Sequence, residues 1–544
     1  MGSNETGRGL SRRTMLKMAG GTAVAGGLLG GAGYAMARPS APASAPEAAA
    51  PWHSKLVRPG PDGKLVYAED ANKSRIPDFS WAGYRNGEAP LPDVPVLRTI
   101  SPVSGDNTEH IQKALDEVGA LPLDANGFRG TVLLRPGTYP VAGTIRIAHS
   151  GVVLRGAGPT DDPAVSSIIK ATGKAAQQNV ILVGGAVENW SAEVPGSRTD
   201  VVSDFVQVGS RTFTVADASK LKVGDNIIVF HPHTAEWLKA IDNGGVDEKP
   251  PWPVGKRPII YNRYVKAVSG NEITICAPVF NHLERKLSQS YVYKWDNGEV
   301  VRDAGVESLR IDIQANSAED EDHARNGVQL KGVEDAWVRN CRAVHFVFAG
   351  FDTHAATRCT ILDSWAYSPR SQIIGSRRYN FNAGNYAQQV LFRGLTASYA
   401  RHAFVASGTT KTSGCAWVDG VSRLSYSESG GHHRWSQGLL FDNISEIEAK
   451  YDRGHMISLH NRIDHGSGHG WSSVHSVAWN CTVDDGKWVT VQRPPTAQNY
   501  AIGTTGAANG KSYQDLTPGF IEGTNKPGLA IKSLYDAQLA DRLR

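Results

Sequence analysis

The sequence predicts an all-β fold in which short strands wind into an elongated solenoid. Between Gly130 and Gly158, three short apolar segments follow one another, and each is closed by a turn residue. The gaps between these segments are too short for the helical crossovers that otherwise join parallel strands. Similar segments recur later in the chain, and Asn340 and Asp363 lie 23 residues apart, a length that suits one coil of three short strands.

Composition and length are compatible with one large soluble solenoid. The chain has 544 residues, including 58 glycines that suit a fold with many tight turns. Lys and Arg number 57 against 53 Asp and Glu, and this formal charge of +4 is too balanced to indicate nucleic acid or a membrane surface as partner. None of the five cysteines belongs to a CxxC pair, so we expect buried thiols rather than a disulfide framework or a zinc site.

The N-terminus has the pattern of an export signal. Ser11-Arg12-Arg13 opens a twin-arginine motif, a glycine-rich and weakly hydrophobic run follows, and Ala35-Met36-Ala37 offers a cleavage site. We therefore predict export through the twin-arginine pathway to the cell envelope or the extracellular space, with no permanent membrane span after cleavage. A membrane-anchoring helix that is never cleaved is the alternative.

Changes of pattern along the chain predict its organisation. Asn107 precedes Ile111, Leu115 and Val118 at helical spacing, which indicates a helix that caps the open end of the first coils. The predicted segments are a signal peptide (1–37), a disordered linker (38–51), an extended arm (52–105), N-terminal coils with the capping helix (106–185), an inserted small β domain (186–300), main coils that carry the site (301–525) and a C-terminal capping helix (526–544).

Three motifs resemble the opening of the pectate-lyase-like superfamily. They are Asn107-Thr108…Ile111-Gln112…Ala114, Val132…Pro136-Gly137…Tyr139 and Val153…Gly156…Gly158. The resemblance covers about fifty residues and implies a right-handed parallel β-helix. It says little about the reaction, since this superfamily includes lyases, hydrolases, epimerases and non-catalytic adhesins.

Residues 379–500 are rich in histidine, arginine and aromatic side chains. Coils that stack at ~4.8 Å would bring such residues onto one groove. Histidine can transfer protons near neutral pH, arginine binds carboxylates with two charge-assisted bonds, and aromatic rings suit the apolar faces of sugars. The candidates for proton transfer are His432, His433, His402, His469 and Tyr399. The candidates for substrate binding are Arg434, Arg462, Arg401, Trp435, Trp471, Asn461, Gln492 and Arg493.

Part of this block also resembles a large group of bacterial β-helix proteins regarded mainly as polysaccharide-degrading enzymes. The shared residues are His432-His433-Arg434-Trp435, Gly468-His469-Gly470-Trp471 and Gln492…Pro494-Pro495…Ala497-Gln498-Asn499. The resemblance implies a polysaccharide partner, and the arginines favour an anionic one. We therefore predict a monomeric lyase that cleaves a uronic-acid-containing polysaccharide by β-elimination.

Two other functions remain open from the sequence. A glycoside hydrolase needs two carboxyl groups ~5–9.5 Å apart. The available carboxyl groups are Asp352, Asp363, Glu428, Asp442 and Asp464. A non-catalytic glycan-binding protein or adhesin could use the same arginines and aromatic residues without a proton-transfer pair.

One acidic run suggests a metal. Asp320, Glu321 and Asp322 follow Glu319, and several oxygens on a flexible loop can bind calcium. A solvated loop tip explains the same run without a metal. Calcium is the one cofactor that the sequence suggests.

Overall fold

The protein is a right-handed parallel β-helix, described over residues 51–544 in a computed structural model. The predicted signal peptide and nearly all of the predicted linker lie outside the described residues. Each coil contributes strands to up to three parallel faces, which belong to long sheets of 18 and 11 strands. Within residues 51–544, no helix is long and apolar enough to cross a membrane.

The first, second and third faces are named in the order in which the chain meets them. The first face contains Val96–Ile100, Gly130–Leu134, Val152–Arg155, Gly305–Glu307, Trp337–Arg339, Thr360–Leu362, Val477–Trp479, Tyr500–Ile502 and Phe520–Glu522. The second contains Gly137–Val141, Ser167–Ala171, Arg310–Ile313, Arg342–Val344, Trp365–Tyr367 and Thr482–Val483. Leu391–Ser398, Ala416–Arg423 and Leu440–Ile447 belong to both. The third contains Ile145–Ile147, Asn179–Gly184, Val301–Arg302, Asn326–Glu334, Ala349–Thr357, Tyr379–Ala383, His402–Ala406, Ser429–Gly431, His455–Leu459, Trp488–Val491 and Ala507–Asn509.

The interior of the stack is apolar, and equivalent side chains of successive coils pile on one another. Phe392, Trp417 and Phe441 stack nearly parallel, with ring centroids 5.1 and 5.0 Å apart. All five cysteines are buried and unpaired, as predicted. Asn480 donates a side-chain hydrogen bond to Asn443, and both residues have a positive φ that suits the bend between faces.

The capping helix spans Thr108–Gly119 and buries Ile111 and Leu115 against the first coils. The preceding segment is less extended than predicted. It contains an antiparallel pair, Val57–Pro59 with Leu65–Tyr67, and a short 3-10 turn at Tyr84–Gly87. The strand Val96–Ile100, assigned to the arm from its proline-rich surroundings, instead pairs in parallel with Gly130–Leu134 as part of the first face.

The inserted domain is an antiparallel sheet on one side of the stack. Its strands, in spatial order, are Thr199–Asp200, Tyr291–Lys294, Asn226–His231, Ile259–Ser269, Glu272–Ile275 and Thr212–Thr214. It also contains the pair Phe205–Val206 and Leu283–Glu284, the helix Ala235–Ala240 and the 3-10 turn Asp242–Gly244. Arg263 is fully buried where the insertion meets the coils, and it donates to the side-chain oxygens of Gln388 and Gln389.

The C-terminal helix spans Leu534–Leu543 and lies along the side of the stack. The prediction that it covers the far end of the solenoid is wrong. Tyr535 N–H donates to Asp442 at 2.8 Å, and Asp536 pairs with Arg393 at 2.7 Å, so the helix spans several coils. Its other neighbour is the N-terminal arm, where Tyr535 donates its hydroxyl to the carbonyl of Ala82.

Candidate functional site

A cavity of about 760 Å³ opens beside the third face, and it is lined both by residues that precede the strands of this face and by residues that follow them. Its lining is strongly basic and aromatic: five arginines, four histidines and four tyrosines contribute to it. No aspartate or glutamate lies among the described residues of this lining. These basic and aromatic residues are Arg325, Arg401, Arg434, Arg453, Arg462, His432, His433, His465, His469, Tyr379, Tyr426, Tyr451 and Tyr513.

Successive coils position these side chains. Tyr379 and His402 are the first residues of neighbouring strands and pair directly in the register of the third face. His432 and His433 follow the next strand, Ser429–Gly431, and enter a turn in which Arg434 has a φ of 56°. His465 and His469 come from a loop after His455–Leu459 that contains a short helix, His465–Gly468.

The inserted domain holds this last loop in place. Lys249 Nζ donates to the carbonyl of Asp464 at 2.7 Å and to that of Gly466, and its own N–H donates to the Asp464 carboxylate. Trp252 Nε1 donates to the carbonyl of Gly468 at 3.1 Å. The loop that carries His469 is therefore fixed by residues more than 200 positions earlier in the chain.

His432 is held as a neutral imidazole by an arginine. Arg462 Nη1 donates to His432 Nδ1, so the ring proton lies on Nε2, which is 3.1 Å from the hydroxyl of Tyr379. Burial, and then the charge of Arg462, hold the pKa of His432 well below its usual range. The ring therefore donates to Tyr379 and does not carry a charge at neutral pH.

His402 uses both of its ring nitrogens. Its Nδ1 donates to the carbonyl of Glu428 at 2.5 Å, and its Nε2 accepts from Arg401 Nη1 at 2.8 Å. Burial and the Arg401 charge lower the pKa of His402 to about 3. In this arrangement His402 orients the Arg401 guanidinium toward the cavity.

Tyr379 was missed by the sequence analysis, although it lies one 23-residue repeat before His402. Its hydroxyl oxygen accepts from His432 Nε2, from Arg401 Nη1 at 3.4 Å and from Ser376 N–H at 3.4 Å. Because the oxygen is surrounded by donors, the phenolic proton is free to donate to a ligand in the cavity.

His433 and His469 face each other in the cavity wall, with ring centroids 5.1 Å apart. Each has a buried Nδ1 without a hydrogen-bond partner among the described residues. Burial followed by the charge of Arg434 lowers the pKa of His433 to about 3, and burial followed by Arg462 lowers that of His469 to about 2. Both rings are therefore neutral imidazoles at neutral pH, and both line the cavity.

One carboxylate lies directly beneath the cavity. Glu428 Oε1 is 3.4 Å from Arg462 Nη2, and both side chains are almost fully buried. Burial favours the neutral acid, but the Arg462 charge outweighs it and holds the pKa of Glu428 well below its usual range. Among the described residues, none of the other four cavity arginines, Arg325, Arg401, Arg434 and Arg453, forms an ion pair with a carboxylate.

Four predicted binding residues are buried away from the cavity, which corrects their assignment. Trp435 has no exposed surface and donates to the Asn281 side chain, and Trp471 packs against the backbone of the insertion. Both rings fill the interface with the inserted domain and offer no face to a sugar. Gln492 and Asn461 are buried as well, and the Gln492 side chain accepts from Asn461 N–H at 2.8 Å.

Two further candidates lie elsewhere on the surface. Arg493 is exposed and does not line the cavity. Tyr399 lies at a neighbouring cavity, because it precedes the third-face strand by three residues and sits on the outer side of the turn.

The three acidic side chains at 320–322 each contact a different partner. Asp320 accepts from Asn316 N–H, Glu321 pairs with Arg377 at 2.6 Å, and Asp322 accepts from Ala175 N–H. Within residues 51–544, no group of three or more His, Cys, Asp or Glu side chains could hold a metal ion.

The carboxyl groups considered for hydrolysis are also dispersed. Asp352 accepts from the side chains of Gln329 and Asn382, and Asp442 lies beneath the C-terminal helix. Asp464 accepts from backbone N–H groups of the insertion, and Asp363 lies in a turn at positive φ. None of the five carboxyl groups lines the cavity, and only Glu428 forms an ion pair with a lining residue, Arg462.

No protein-family model matches this sequence, and no curated protein matches it either. Solved structures with a similar course of the chain include the tailspike protein gp49 from Pseudomonas phage LKA1, with 14% identity over 74% of this chain and a TM-score of 0.38. The match spans 64% of that tailspike's length. An alginate lyase from Paenibacillus sp. has 11% identity over 78% of this chain and 97% of its own, with a TM-score of 0.38. An endo-xylogalacturonan hydrolase from Aspergillus tubingensis has 10% identity over 78% of this chain and 92% of its own, with a TM-score of 0.37.

Proposed function

We propose that this protein is a lyase that cleaves a uronic-acid-containing polysaccharide by β-elimination. The observation that carries the proposal is the charge of the cavity: five arginines and no carboxylate contribute to its described lining. Four of these arginines have no acidic partner among the described residues, and such an unbalanced cluster is suited to bind an anionic ligand.

The reaction requires positive charge beside the uronate carboxylate, a base and an acid. Arg401 and Arg434 bind the uronate carboxylate and stabilise the negative charge that develops when the adjacent C5 loses its proton. The neutral imidazole of His433 or His469 accepts that proton. As the C4–O bond breaks and the C4=C5 double bond forms, Tyr379 gives its phenolic proton to the leaving oxygen.

The low pKa values of the two histidines are compatible with this role. Burial lowers them most, and the charges of Arg434 and Arg462 lower them further. A bound carboxylate offsets those charges and raises the histidine pKa values toward the working pH. The base therefore becomes more effective when the anionic substrate is present.

Hydrolysis is less compatible with this geometry. A glycoside hydrolase of the usual kind needs two carboxyl groups beside the scissile bond, and Glu428 is alone here and paired with Arg462. A non-catalytic glycan-binding protein would use the same arginines, but it would not need the hydroxyl of Tyr379.

One assay separates these functions. The purified protein is incubated with uronate-containing polysaccharides (pectate, alginate and hyaluronan) and with neutral ones, and unsaturated products and reducing ends are followed in parallel. We expect both signals with at least one uronate polymer and neither with neutral polymers. Reducing ends alone would indicate a hydrolase. Binding without either signal would indicate a glycan-binding protein, and each of these results would overturn the proposal.

Variants then test the residues. Tyr379→Phe keeps the ring but removes the proton donor, so we expect kcat to fall by ~10²–10⁴ with little change in KM. Tyr367→Phe is the matched control, because it removes a hydroxyl that also accepts from an arginine, Arg310, outside the cavity. Equal activity of the two variants would exclude Tyr379 as the acid.

A further inference from the structure

A second cavity of about 460 Å³ adjoins the main one. Ile373 and Tyr426 line both cavities, so one continuous surface connects them. The second cavity lies at the turns between the second and third faces, where Tyr399 is 36% exposed. Tyr399 is a candidate from the sequence that the proposed reaction does not use.

Three turns from successive coils stack on one another beside both cavities. Tyr426 N–H donates to the carbonyl of Ala400, and Lys450 N–H donates to that of Ser425, so residues 399–401, 426–427 and 450–451 are equivalent positions of successive coils. The later residues of these turns, Arg401, Ser427 and Tyr451, line the main cavity. The earlier residues Tyr399 and Tyr426 line the second cavity, and the ammonium of Lys450 lies over both of their rings.

The second cavity combines aromatic faces with positive charge. Lys450 Nζ lies 5.2 Å from the ring centroid of Tyr399 and 5.5 Å from that of Tyr426. The Arg378 guanidinium, which lines the cavity, lies 5.8 Å from the centroid of the Tyr426 ring. Lys450 has no carboxylate partner among the described residues, and Glu319 is the only described acid in the lining. Tyrosine rings beside an unpaired ammonium suit a sugar ring that bears a carboxylate.

We propose that this second cavity is a subsite for another uronate unit of the same polysaccharide chain. The protein then binds a stretch of polymer that crosses Tyr426, rather than a single terminal sugar. The proposal rests on the proposed function of the main cavity for the class of ligand, but it concerns binding and does not depend on turnover.

Calorimetric titration with oligomers of different length tests the subsite. The probes are oligogalacturonates and oligomannuronates of two and six sugars, and the proteins are the wild type, Lys450→Gln and Tyr399→Ala. We expect the wild type to bind a hexamer about tenfold more tightly than the dimer, since only the hexamer reaches both cavities. Both variants should lose most of this advantage and keep their affinity for the dimer.

Lys526→Gln is the matched control, because Lys526 Nζ lies 5.0 Å from the ring of Trp52 far along the chain from both cavities. A hexamer that binds the wild type no more tightly than the dimer would overturn the subsite. Variants that keep the hexamer advantage, or no binding in either series, would also overturn it. Hexamer binding that needs Lys450, together with no unsaturated product from any polymer, would overturn the lyase function and leave the subsite standing.

Discussion

Replacing Glu428 by glutamine removes one partner of the buried ion pair beneath the main cavity. The side chains of Arg462 and Glu428 are 3% and 2% exposed, so the arginine charge cannot regain water after the substitution. Breaking such a buried pair costs ~3–5 kcal/mol of unfolding free energy. Glu448→Gln breaks an arginine pair whose side chains are 48% and 56% exposed, and it should cost at most ~1 kcal/mol.

Urea unfolding at pH 7, followed by circular dichroism and tryptophan fluorescence, compares the two variants. The effect of pH gives a second check. The pKa of Glu428 is lower in the folded protein than the value of ~4.3 in an unfolded chain. The ionised Glu428 therefore makes its full contribution to the free energy of unfolding above pH ~4.3, and this contribution is lost as the pH falls through the pKa of the folded protein. Two results would refute the reasoning. One is a decrease in unfolding free energy for Glu428→Gln that is no larger than for Glu448→Gln. The other is a difference in unfolding free energy between Glu428→Gln and the wild type that grows as the pH falls.

Three further outcomes are expected. His433 and His469 should remain neutral at pH 5 in nitrogen-15 NMR spectra of histidine-labelled protein, and protonated rings at that pH would contradict their burial beside arginines. Burial raises the pKa of Asp442 to about 7, against ~3.9 in an unfolded chain, so the folded protein loses stability as the pH rises through this interval. Asp442→Asn should therefore raise the melting temperature at pH 8 but not at pH 4, and an equal effect at both would exclude this ionisation. Lys249→Met should release the loop that carries His469 and lower kcat/KM about tenfold on a uronate polymer. The control Lys239→Met should leave kcat/KM unchanged. Unchanged kinetics in Lys249→Met would show that the loop is held without Lys249.

Much of the fold could be predicted because every coil obeys the same local rules. Asn340 and Asp363 follow short apolar strands and adopt the positive φ that the bend requires. The capping helix is visible in the spacing of Ile111 and Leu115. The C-terminal helix was equally visible as an element, but its position was not, since it is set by distant partners such as Asp442.

The sequence predicted correctly only those site residues that lie close together in the chain or that the stacking of coils brings together. The pair His432-His433 and the arginines Arg434 and Arg462 do meet in one cavity. The tryptophans of the same block fill the interface with the insertion, and a sequence does not reveal where an inserted domain docks. Counting one 23-residue repeat back from His402 would have found Tyr379. Tyr399 was a candidate because it lies three residues before His402 in the sequence.

The N-terminal arm and the C-terminal helix meet on the flank of the stack. Gln538 accepts from Phe79 N–H although the two residues are 459 positions apart, and Tyr84 N–H donates to Thr360 in the middle coils. A linear repeat array normally frays from its ends, since each repeat touches only its neighbours. Here the last helix cannot detach without uncovering the arm along the central coils, so these parts should melt as one cooperative unit. During synthesis the arm cannot gain this cover until the helix Leu534–Leu543 has been made, so the central coils fold before their flank is closed.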